Sequence, residues 1–548
     1  MKNLLRLFRP SHQHTAFSAT LLLISAVMAS RVIGYARDAY IAWSYGASGA
    51  TDVYLAAFTL PDWLNYIVAG GAASITFISI YTRFLAENRP EDAQKTFSII
   101  ITVMTTVLIA ATIVAEIFTP QFVMWMFGPS RSHQGFSPQQ IELCIYLTRI
   151  LLPAQIFFYV GGVVSAVLLS HRLFLFPAFG PLLYNVFIIL GGVLGGHRLG
   201  IASLAYGALA GAFAGPFLAS VIGAARIGTG YNPSFDISNP AFREWVKLSI
   251  PLMLGFSLVT VDDWILRYYA ASGVGDITRL TLSKRLFNVP IAVLGQATGQ
   301  ASLPFFARLF NEKKLEEFAA TVNDSVYRVS AAALLVTGWM MVAALPLIDL
   351  VYRRGRFSFA DSQTSAVYFF WFSLSLVLWS AQSLYARAFY AAGDTLTPMV
   401  AVTLITVASL PVYAFFFHTF GVVGLAWASD IGIGLNLVAL AGLLNYRGLV
   451  RLSGLRWDEL AKAAAVAIVA GTISFEVAKA VPLSGTGRGN RLTDLLQLAI
   501  VSVTWAAATA AGLWLLRSEL PRDLRRRRAA AYPAVAQDES KEILGAGK

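Results

Sequence analysis

Charged side chains interrupt several long apolar segments of this chain, at positions where a charge needs a ligand, water or an ion-pair partner. The first such segment holds Ser30, Arg31, Arg37 and Asp38. Positions 30 and 37, and positions 31 and 38, are seven residues apart, so on a helix all four side chains share one broad face. A charge at membrane depth is costly unless it faces water or a partner. This face is therefore predicted to line a wet cavity.

Three further apolar segments carry charged or amide side chains. They supply Asp62 and Asn65, then Asp263 and Arg267, and then Lys284, Arg285 and Asn288. Asp263 and Arg267 are four residues apart with the acid first, which favours a structural ion pair within one helix. The other residues, together with the four on the first segment, are the predicted substrate-binding set.

The cations in this set indicate the kind of ligand. The planar fork of arginine binds phosphate oxygens in pairs, so a cavity lined by Arg31, Arg37 and Arg285 favours a phosphate-bearing substrate. The alternative is that these cations form ion pairs that hold the helices together. For Arg149 the two interpretations are equally open.

The composition shows which elements must position these side chains. The 548-residue chain is 57% hydrophobic and only 13% charged, so lipid has to be the solvent for most of it. Apolar stretches of about 20 residues recur along the sequence, long enough for helices that span a bilayer. We predict an all-α polytopic membrane protein with about fourteen transmembrane helices, near residues 17–44, 51–82, 94–126, 139–170, 177–196, 200–225, 243–271, 276–305, 324–352, 362–392, 398–418, 421–446, 459–480 and 494–516.

The sequence gives no indication of an enzyme or of a cofactor. It has a single cysteine, Cys144, and its six histidines lack metal-ligand spacing. It also lacks a phosphate-binding loop of the ATPase type and a long extramembrane loop that could house an active site. We expect no catalytic residues, no metal and no cofactor.

The net charge of +12 is better explained by membrane topology than by nucleic-acid binding. Lysine and arginine gather in alternate loops, which predicts that both termini and the 308–323 loop are cytoplasmic. The loop at 353–361 is predicted to be periplasmic although it contains Arg353, Arg354 and Arg356. The first helix is expected to be retained and not cleaved as a signal peptide.

The chain also matches itself at an offset of 221 residues. Phe136-Ser137 recurs as Phe357-Ser358, Pro177 as Pro398 and Gly200 as Gly421, since 357 − 136, 398 − 177 and 421 − 200 all equal 221. The offset spans an even number of helices, so the two copies should have the same orientation. We predict a first six-helix lobe at 1–230, a second at 231–448, helices 13 and 14 at 449–520, and a basic tail at 521–548 that is expected to be disordered.

Several motifs resemble the MurJ/MviN family. They are Ser30-Arg31-Val-Ile-Gly-Tyr-Ala-Arg37-Asp38, Pro177-Ala-Phe-Gly-Pro181-Leu-Leu-Tyr-Asn185, and Ala388-Phe389-Tyr390-Ala-Ala-Gly393-Asp394-Thr395-Leu-Thr397-Pro398. The resemblance implies the multidrug/oligosaccharidyl-lipid/polysaccharide exporter fold. It implies alternating access that flips lipid II, an undecaprenyl diphosphate bearing a disaccharide-pentapeptide, across the bacterial inner membrane. Helices 13 and 14 would guide the lipid tail, and contact with the peptidoglycan synthesis machinery would be transient.

The resemblance places the family's transport residues on Ser30, Arg31, Arg37, Asp38 and Arg285. This chain departs from the family pattern at four places. After Leu60-Pro61 the family usually has an asparagine and then basic residues, whereas this chain has Asp62, Asn65 and Tyr66. The family's Ala-Glu-Gly is Ala69-Gly70-Gly71, an acid of helix 8 is Asn288, and an asparagine of helix 11 is Tyr413. These departures leave three alternatives open. The chain could export another polyprenyl-linked saccharide, export drugs by cation coupling, or be a membrane enzyme or scaffold of envelope synthesis.

Overall fold

The structure is a computed structural model that describes residues 16–66, 72–129, 134–171, 173–254, 258–480 and 491–521. These residues form helices and short connections, with no strand among them. Ten helices in this part of the chain are long and apolar enough to cross a membrane. Their bounds are Pro90–Phe127, Pro138–Ser170, Leu175–Leu199, Ala202–Arg226, Leu315–Tyr352, Phe359–Ala391, Leu396–Phe420, Val422–Tyr446, Trp457–Lys479 and Arg491–Leu515. The predicted all-α polytopic membrane fold is confirmed.

The first, second, seventh and eighth predicted spans are not among these ten, so the count of fourteen stays a prediction. They correspond to the helices Ala16–Tyr45, Gly49–Ala56, Thr59–Leu64, Ala72–Ala86, Pro240–Leu254, Leu258–Ala270, Asp276–Pro290 and Thr298–Asn311, with a π-helical turn at Ile291–Ala297. In the second span the helix is divided after Ala56, and in the eighth the π-helical turn interrupts the α-helix. The predicted site residues all lie on these four spans.

The predicted internal repeat is visible in the helix lengths. Four consecutive helices of the first half have 38, 33, 25 and 25 residues, and the four from Leu315 to Tyr446 have the same lengths in the same order. Ser137 and Ser358 both begin their helices with a capping box. Gly200 and Gly421 both end theirs with a positive φ, of 56° and 63°, which favours glycine. The sequence matches at offset 221 therefore fall on equivalent helix boundaries.

The chain divides into two compact units. Unit 1 comprises Met1–Thr278 with Arg354–Phe357, and unit 2 comprises Arg279–Arg353 with Ser358–Lys548. Each has its own hydrophobic core, built around Phe77, Phe97 and Trp245 in unit 1 and around Phe306, Tyr327 and Phe389 in unit 2. The unit boundary at 278 lies later than the predicted lobe boundary at 230, and the division into six-helix lobes stays a prediction.

Arg353, one of the three arginines in the loop predicted to be periplasmic, forms a buried ion pair. The Arg353 side chain is 3% exposed, its Nη1 donates to Asp349 Oδ2 at 2.9 Å, and its guanidinium lies 4.6 Å from the centroid of the Phe359 ring. Asp349 is on the same helix, four residues earlier, and is fully buried. Arg353 is thus neutralised by a buried partner, so this one arginine of the loop need not act as a topology signal.

Hydrogen bonds and ion pairs also stabilise the segments that connect helices. Thr397 N donates to Asp394 Oδ1 at 2.9 Å, and Arg447 forms an ion pair with the same carboxylate. Partial burial raises the pKa of Asp394, but the hydrogen bonds from Thr397 and the Arg447 guanidinium outweigh it and lower the pKa to about 2. Near the end of the chain, buried Glu459 accepts hydrogen bonds from Ser518 and Glu519. The predicted basic tail lies outside the described residues beyond position 521.

Candidate functional site

Arg37 and Asp38 form a hydrogen-bonded pair on the helix Ala16–Tyr45 of unit 1. Arg37 Nε and Nη2 donate to Asp38 Oδ1 at 3.0 and 2.8 Å, and Arg37 Nη1 donates to Asn185 Oδ1 at 2.9 Å. Asn185 is itself fixed, because its Nδ2 donates to the Pro181 carbonyl oxygen at 2.9 Å. The side chain of Arg37 is 18% exposed and that of Asp38 is 3% exposed. The guanidinium is therefore held in one orientation.

Sequence reasoning did not assign Asn185 to the site. The signal was present, because Asn185 is an amide within an apolar helix and ends one of the family-like motifs. The residue before it, Tyr184, lines a cavity of unit 1. One helix, Leu175–Leu199, thus supplies a partner for Arg37 and a wall of that cavity.

Arg31 has different surroundings from Arg37. It is exposed, and it makes no hydrogen bond or ion pair with any residue that the structure describes. Ser30 beside it is half-buried. An arginine in the middle of an apolar helix cannot stably face lipid, so this side is expected to be wet. Arg31 is the predicted site cation that the described contacts leave available to a ligand.

Asp62 and Asn65 stand at the meeting point of two cavities in unit 1. The first cavity, of about 180 Å³, is lined by Phe58, Asp62, Asn65, Leu151, Ala154, Gln155, Phe158 and Tyr184. The second, of about 230 Å³, is lined by Asp62, Asn65, Tyr66, Asp263 and Trp264. Asn65 Nδ2 donates to Gln155 Oε1 at 2.7 Å, which orients the amide between them. The structure therefore brings these two predicted residues together with Asp263.

Arg267 pairs with a different acid from the one that the sequence predicted. Its Nη1 lies 3.2 Å from Asp62 Oδ2 and 3.2 Å from Thr59 Oγ1, both on the helix Thr59–Leu64. The expected partner was Asp263, one turn earlier on the same helix. Because Nη1 reaches two acceptors on the neighbouring helix, the contact between helices gives it more hydrogen bonds than an intrahelical pair would. Asp263 instead lines the second cavity.

Asp52 fixes the start of the helix Asp276–Pro290. It is 1% exposed, and its Oδ2 accepts from Gly275 N at 2.5 Å, while Oδ1 accepts from Thr278 N at 2.8 Å and Thr278 Oγ1 at 2.6 Å. A carboxylate at a helix N-terminus satisfies free N–H groups and favours the helix dipole. This contact holds the segment after Ala270 against the helix Gly49–Ala56.

The remaining predicted residues lie in unit 2, on the helix Asp276–Pro290. Lys284 is buried, Arg285 is half-buried and Asn288 is exposed. In unit 1, Arg149 has Glu116 as an ion-pair partner at 3.8 Å, with both side chains substantially exposed. Tyr413 is 2% exposed, and Ala69, Gly70 and Gly71 lie outside the described residues. No cluster of three metal-binding side chains occurs in the part of the chain that the structure describes.

Comparison with known proteins gives a consistent match. The profile of the family Lipid II flippase MurJ matches residues 41–482. A relative from Burkholderia cenocepacia, Lipid II flippase MurJ, is 27% identical over 448 residues, covering 80% of this chain and 85% of that protein. A solved structure, "Lipid II flippase MurJ, inward closed conformation", has a TM-score of 0.72 at 21% identity and covers 90% of this chain and 99% of that one. An inward-facing multidrug resistance MATE family transporter of the MOP superfamily has a TM-score of 0.60 at 15% identity, covering 78% and 98%. The two structures support the fold.

Proposed function

The chain belongs to the lipid II flippase MurJ family, and from that premise we propose that it flips lipid II from the inner to the outer leaflet of the bacterial cytoplasmic membrane. It is a transporter and not an enzyme. The observation that carries this proposal is the family match over residues 41–482. The match begins after Arg31 and Arg37, so their roles are argued from the motif and the contacts around them.

The cations supply the chemistry that a diphosphate needs. A diphosphate cannot cross hydrocarbon without a polar path, because removing its charge from water is very costly. Arg31 is exposed, and Arg37 is held with its guanidinium oriented by Asp38 and Asn185. We assign phosphate recognition to Arg31, Arg37 and Arg285. Ser30, Asp38, Lys284, Asp62, Asn65 and Asn288 complete the proposed substrate-binding set.

The proposed mechanism is alternating access. The predicted lobes 1–230 and 231–448 rock about a central site, and helices 13 and 14 at 449–520 guide the polyprenyl tail while it remains in lipid. Both termini are cytoplasmic. The Asp52 contacts join segments that belong to different predicted lobes. They are therefore candidates for contacts that break when the central cavity opens to the periplasm. Cysteines at Ala50 and Val274, once crosslinked, should then stop lipid II from reaching the outer leaflet, and reduction should restore transport.

Complementation tests the proposed function directly. The chain should restore growth and lipid II exposure to a bacterium depleted of MurJ, and Arg31→Ala should abolish both while the protein still reaches the membrane. Arg89→Ala is the matched control, because Arg89 is 53% exposed and its contacts are with the nearby acids Glu87 and Asp92 and the Phe84 ring, so the variant should retain activity. Failure of the wild-type chain to support growth at normal membrane levels would refute the proposal.

One observation favours a second candidate, the export of another polyprenyl-linked saccharide. The acid Asp62, placed where the family usually has asparagine, lines both cavities and pairs with Arg267. Restoration of a capsule or O-antigen exporter mutant, without restoration of the MurJ-depleted strain, would favour this candidate.

A further inference from the structure

We propose that Asn288, Gln296 and Gln300 form a continuous amide edge on one helix of unit 2 and that this edge hydrogen-bonds the saccharide of the transported lipid. The inference rests on the proposed function and deepens it, because it assigns residues to the neutral part of the headgroup. All three side chains are exposed, and none hydrogen-bonds a residue that the structure describes. All three lie within the predicted eighth transmembrane span, 276–305.

A π-helical turn sets the register of this edge. The α-helix Asp276–Pro290 continues into the π-helical turn Ile291–Ala297 and then into the α-helix Thr298–Asn311. Pro290 lacks an N–H group and its ring crowds the carbonyl four residues earlier, which disturbs the regular ladder where the turn begins. Thr298 Oγ1 donates to the carbonyl oxygens of Leu294 and Gly295 within the turn, so the irregular backbone keeps hydrogen-bond partners.

The extra residue in the turn brings the three amides into line. In an unbroken α-helix, at about 100° per residue, Gln296 would lie about 80° from Asn288 and Gln300 about 120° from it. The π turn accommodates about one additional residue, so the separations of Gln296 and Gln300 from Asn288 count as seven and eleven α-helical residues instead of eight and twelve. Each glutamine then lies only about 20° around the helix axis from Asn288. From Asn288 to Gln300 the edge extends roughly 18 Å along the helix.

Packing on the adjoining side of the helix, about 100° around from the amide edge, supports this orientation. Gly295 and Gly299 are buried, and a Cβ placed on them would lie 3.7 Å from Ser380 Cα and 2.6 Å from Ser383 Oγ, respectively. Both serines belong to the helix Leu376–Ala391, also in unit 2. The contact at Gly295 is an ordinary van der Waals contact, whereas glycine at 299 leaves room for Ser383, so this side of the helix packs against the helix Leu376–Ala391 and the amides stay outside that contact.

The chemistry of the edge suits a sugar better than a phosphate. Each amide offers one acceptor oxygen and two N–H donors, which matches hydroxyl groups that both donate and accept. The edge carries no charge. An exposed amide is unfavourable against hydrocarbon, so this side of the helix must be wet when it is not occupied. Away from the edge the helix exposes Val293 and Phe305, at 60% and 68% exposure, which suits contact with lipid.

The test compares two ligands on purified protein. Ligand-induced thermal stabilisation is measured with lipid II and with undecaprenyl diphosphate, which shares the phosphates and tail but has no saccharide. The variant Asn288→Leu/Gln296→Met/Gln300→Met should bind lipid II more weakly, by about fivefold per amide and on the order of a hundredfold in total. Its affinity for undecaprenyl diphosphate should be unchanged. The three side chains are exposed and hydrogen-bond no described residue, so replacing them should not unfold the protein, and the unfolding midpoint without ligand checks this.

Val293→Met is the matched control, because it changes an exposed side chain of the same turn outside the amide edge. It should bind both ligands as the wild type does. Equal loss of both ligands in the triple variant, or no loss of either, would overturn the amide edge while leaving lipid II transport by the wild type intact. If the wild type bound undecaprenyl diphosphate but not lipid II, the proposed function would fail as well.

Discussion

Removing Arg37 should have two separable consequences, one for stability and one for transport. In the variant Arg37→Ala, Asp38 loses the two hydrogen bonds from Nε and Nη2, at 3.0 and 2.8 Å, while its side chain stays buried at 3% exposure. Breaking a buried ion pair in this way typically costs about 3–5 kcal/mol. A loss of about 4 kcal/mol lowers the ratio of folded to unfolded protein by roughly a thousandfold. The midpoint of thermal unfolding of the solubilised protein should fall clearly.

The double variant Arg37→Ala/Asp38→Ala separates the two roles. It removes the acid together with its partner, so most of the lost stability should return. Transport should not return if the Arg37 guanidinium contacts the substrate phosphates. Arg37→Lys should fold but transport only weakly, because one ammonium group cannot span Asp38 and Asn185 as the guanidinium does; losing one charged hydrogen bond of about 1.5–3 kcal/mol corresponds to roughly 10- to 150-fold.

The assays are membrane abundance, thermal unfolding in detergent and complementation of a MurJ-depleted strain, all measured on the same variants. Arg89→Ala again serves as the surface control. If the double variant complemented at normal abundance, Arg37 would serve only to neutralise Asp38, and the assignment of phosphate binding to it would be wrong. If Arg37→Ala unfolded no more readily than the wild type, the structural part of the reasoning would fail.

Three further predictions concern the membrane topology and the contacts of Asp394 and Asp52. In a Cys144→Ser background, an impermeant thiol reagent should label a cysteine at Ala360 in intact cells but one at Glu316 only after permeabilisation; the reverse pattern would invert the topology. Because the pKa of Asp394 is about 2, below its usual value of about 4, the stability from its contacts is full above pH 4 and is lost as the pH falls towards 2. The unfolding midpoint should therefore drop more steeply between pH 5 and pH 2.5 in the wild type than in Asp394→Asn, and parallel curves would contradict this. Asp52→Ala removes three hydrogen bonds to one helix start and should lower the unfolding midpoint; an unchanged midpoint would show that the cap is dispensable.

Sequence reasoning identified the features that depend on local composition. Apolar runs predicted the membrane fold, and the matches Ser137 with Ser358 and Gly200 with Gly421 marked equivalent helix boundaries, because capping and positive φ restrict residue type at one position. Charged and amide side chains within apolar segments also identified Asp62 and Asn65, which the structure places at two cavities.

Features that depend on which helices pack together were not predictable. The i, i+4 spacing of Asp263 and Arg267 could not show that Asp62 and Thr59 lie closer to the guanidinium. Counting charges in loops could not show that Arg353 is buried beside Asp349. The position of the π turn and the direction of Gln296 were not predicted, because they depend on how this helix packs against another helix.

The two 38-residue helices, Pro90–Phe127 and Leu315–Tyr352, offer a practical handle on the protein. Each is about 57 Å long, whereas the hydrocarbon core of a bilayer is about 30 Å thick. Even at a tilt of about 40° each helix would span about 44 Å, so part of each must protrude into headgroups and water as a helical epitope. A nanobody raised against these protruding ends would report sidedness on unmodified protein and would add asymmetric mass for particle alignment in electron microscopy.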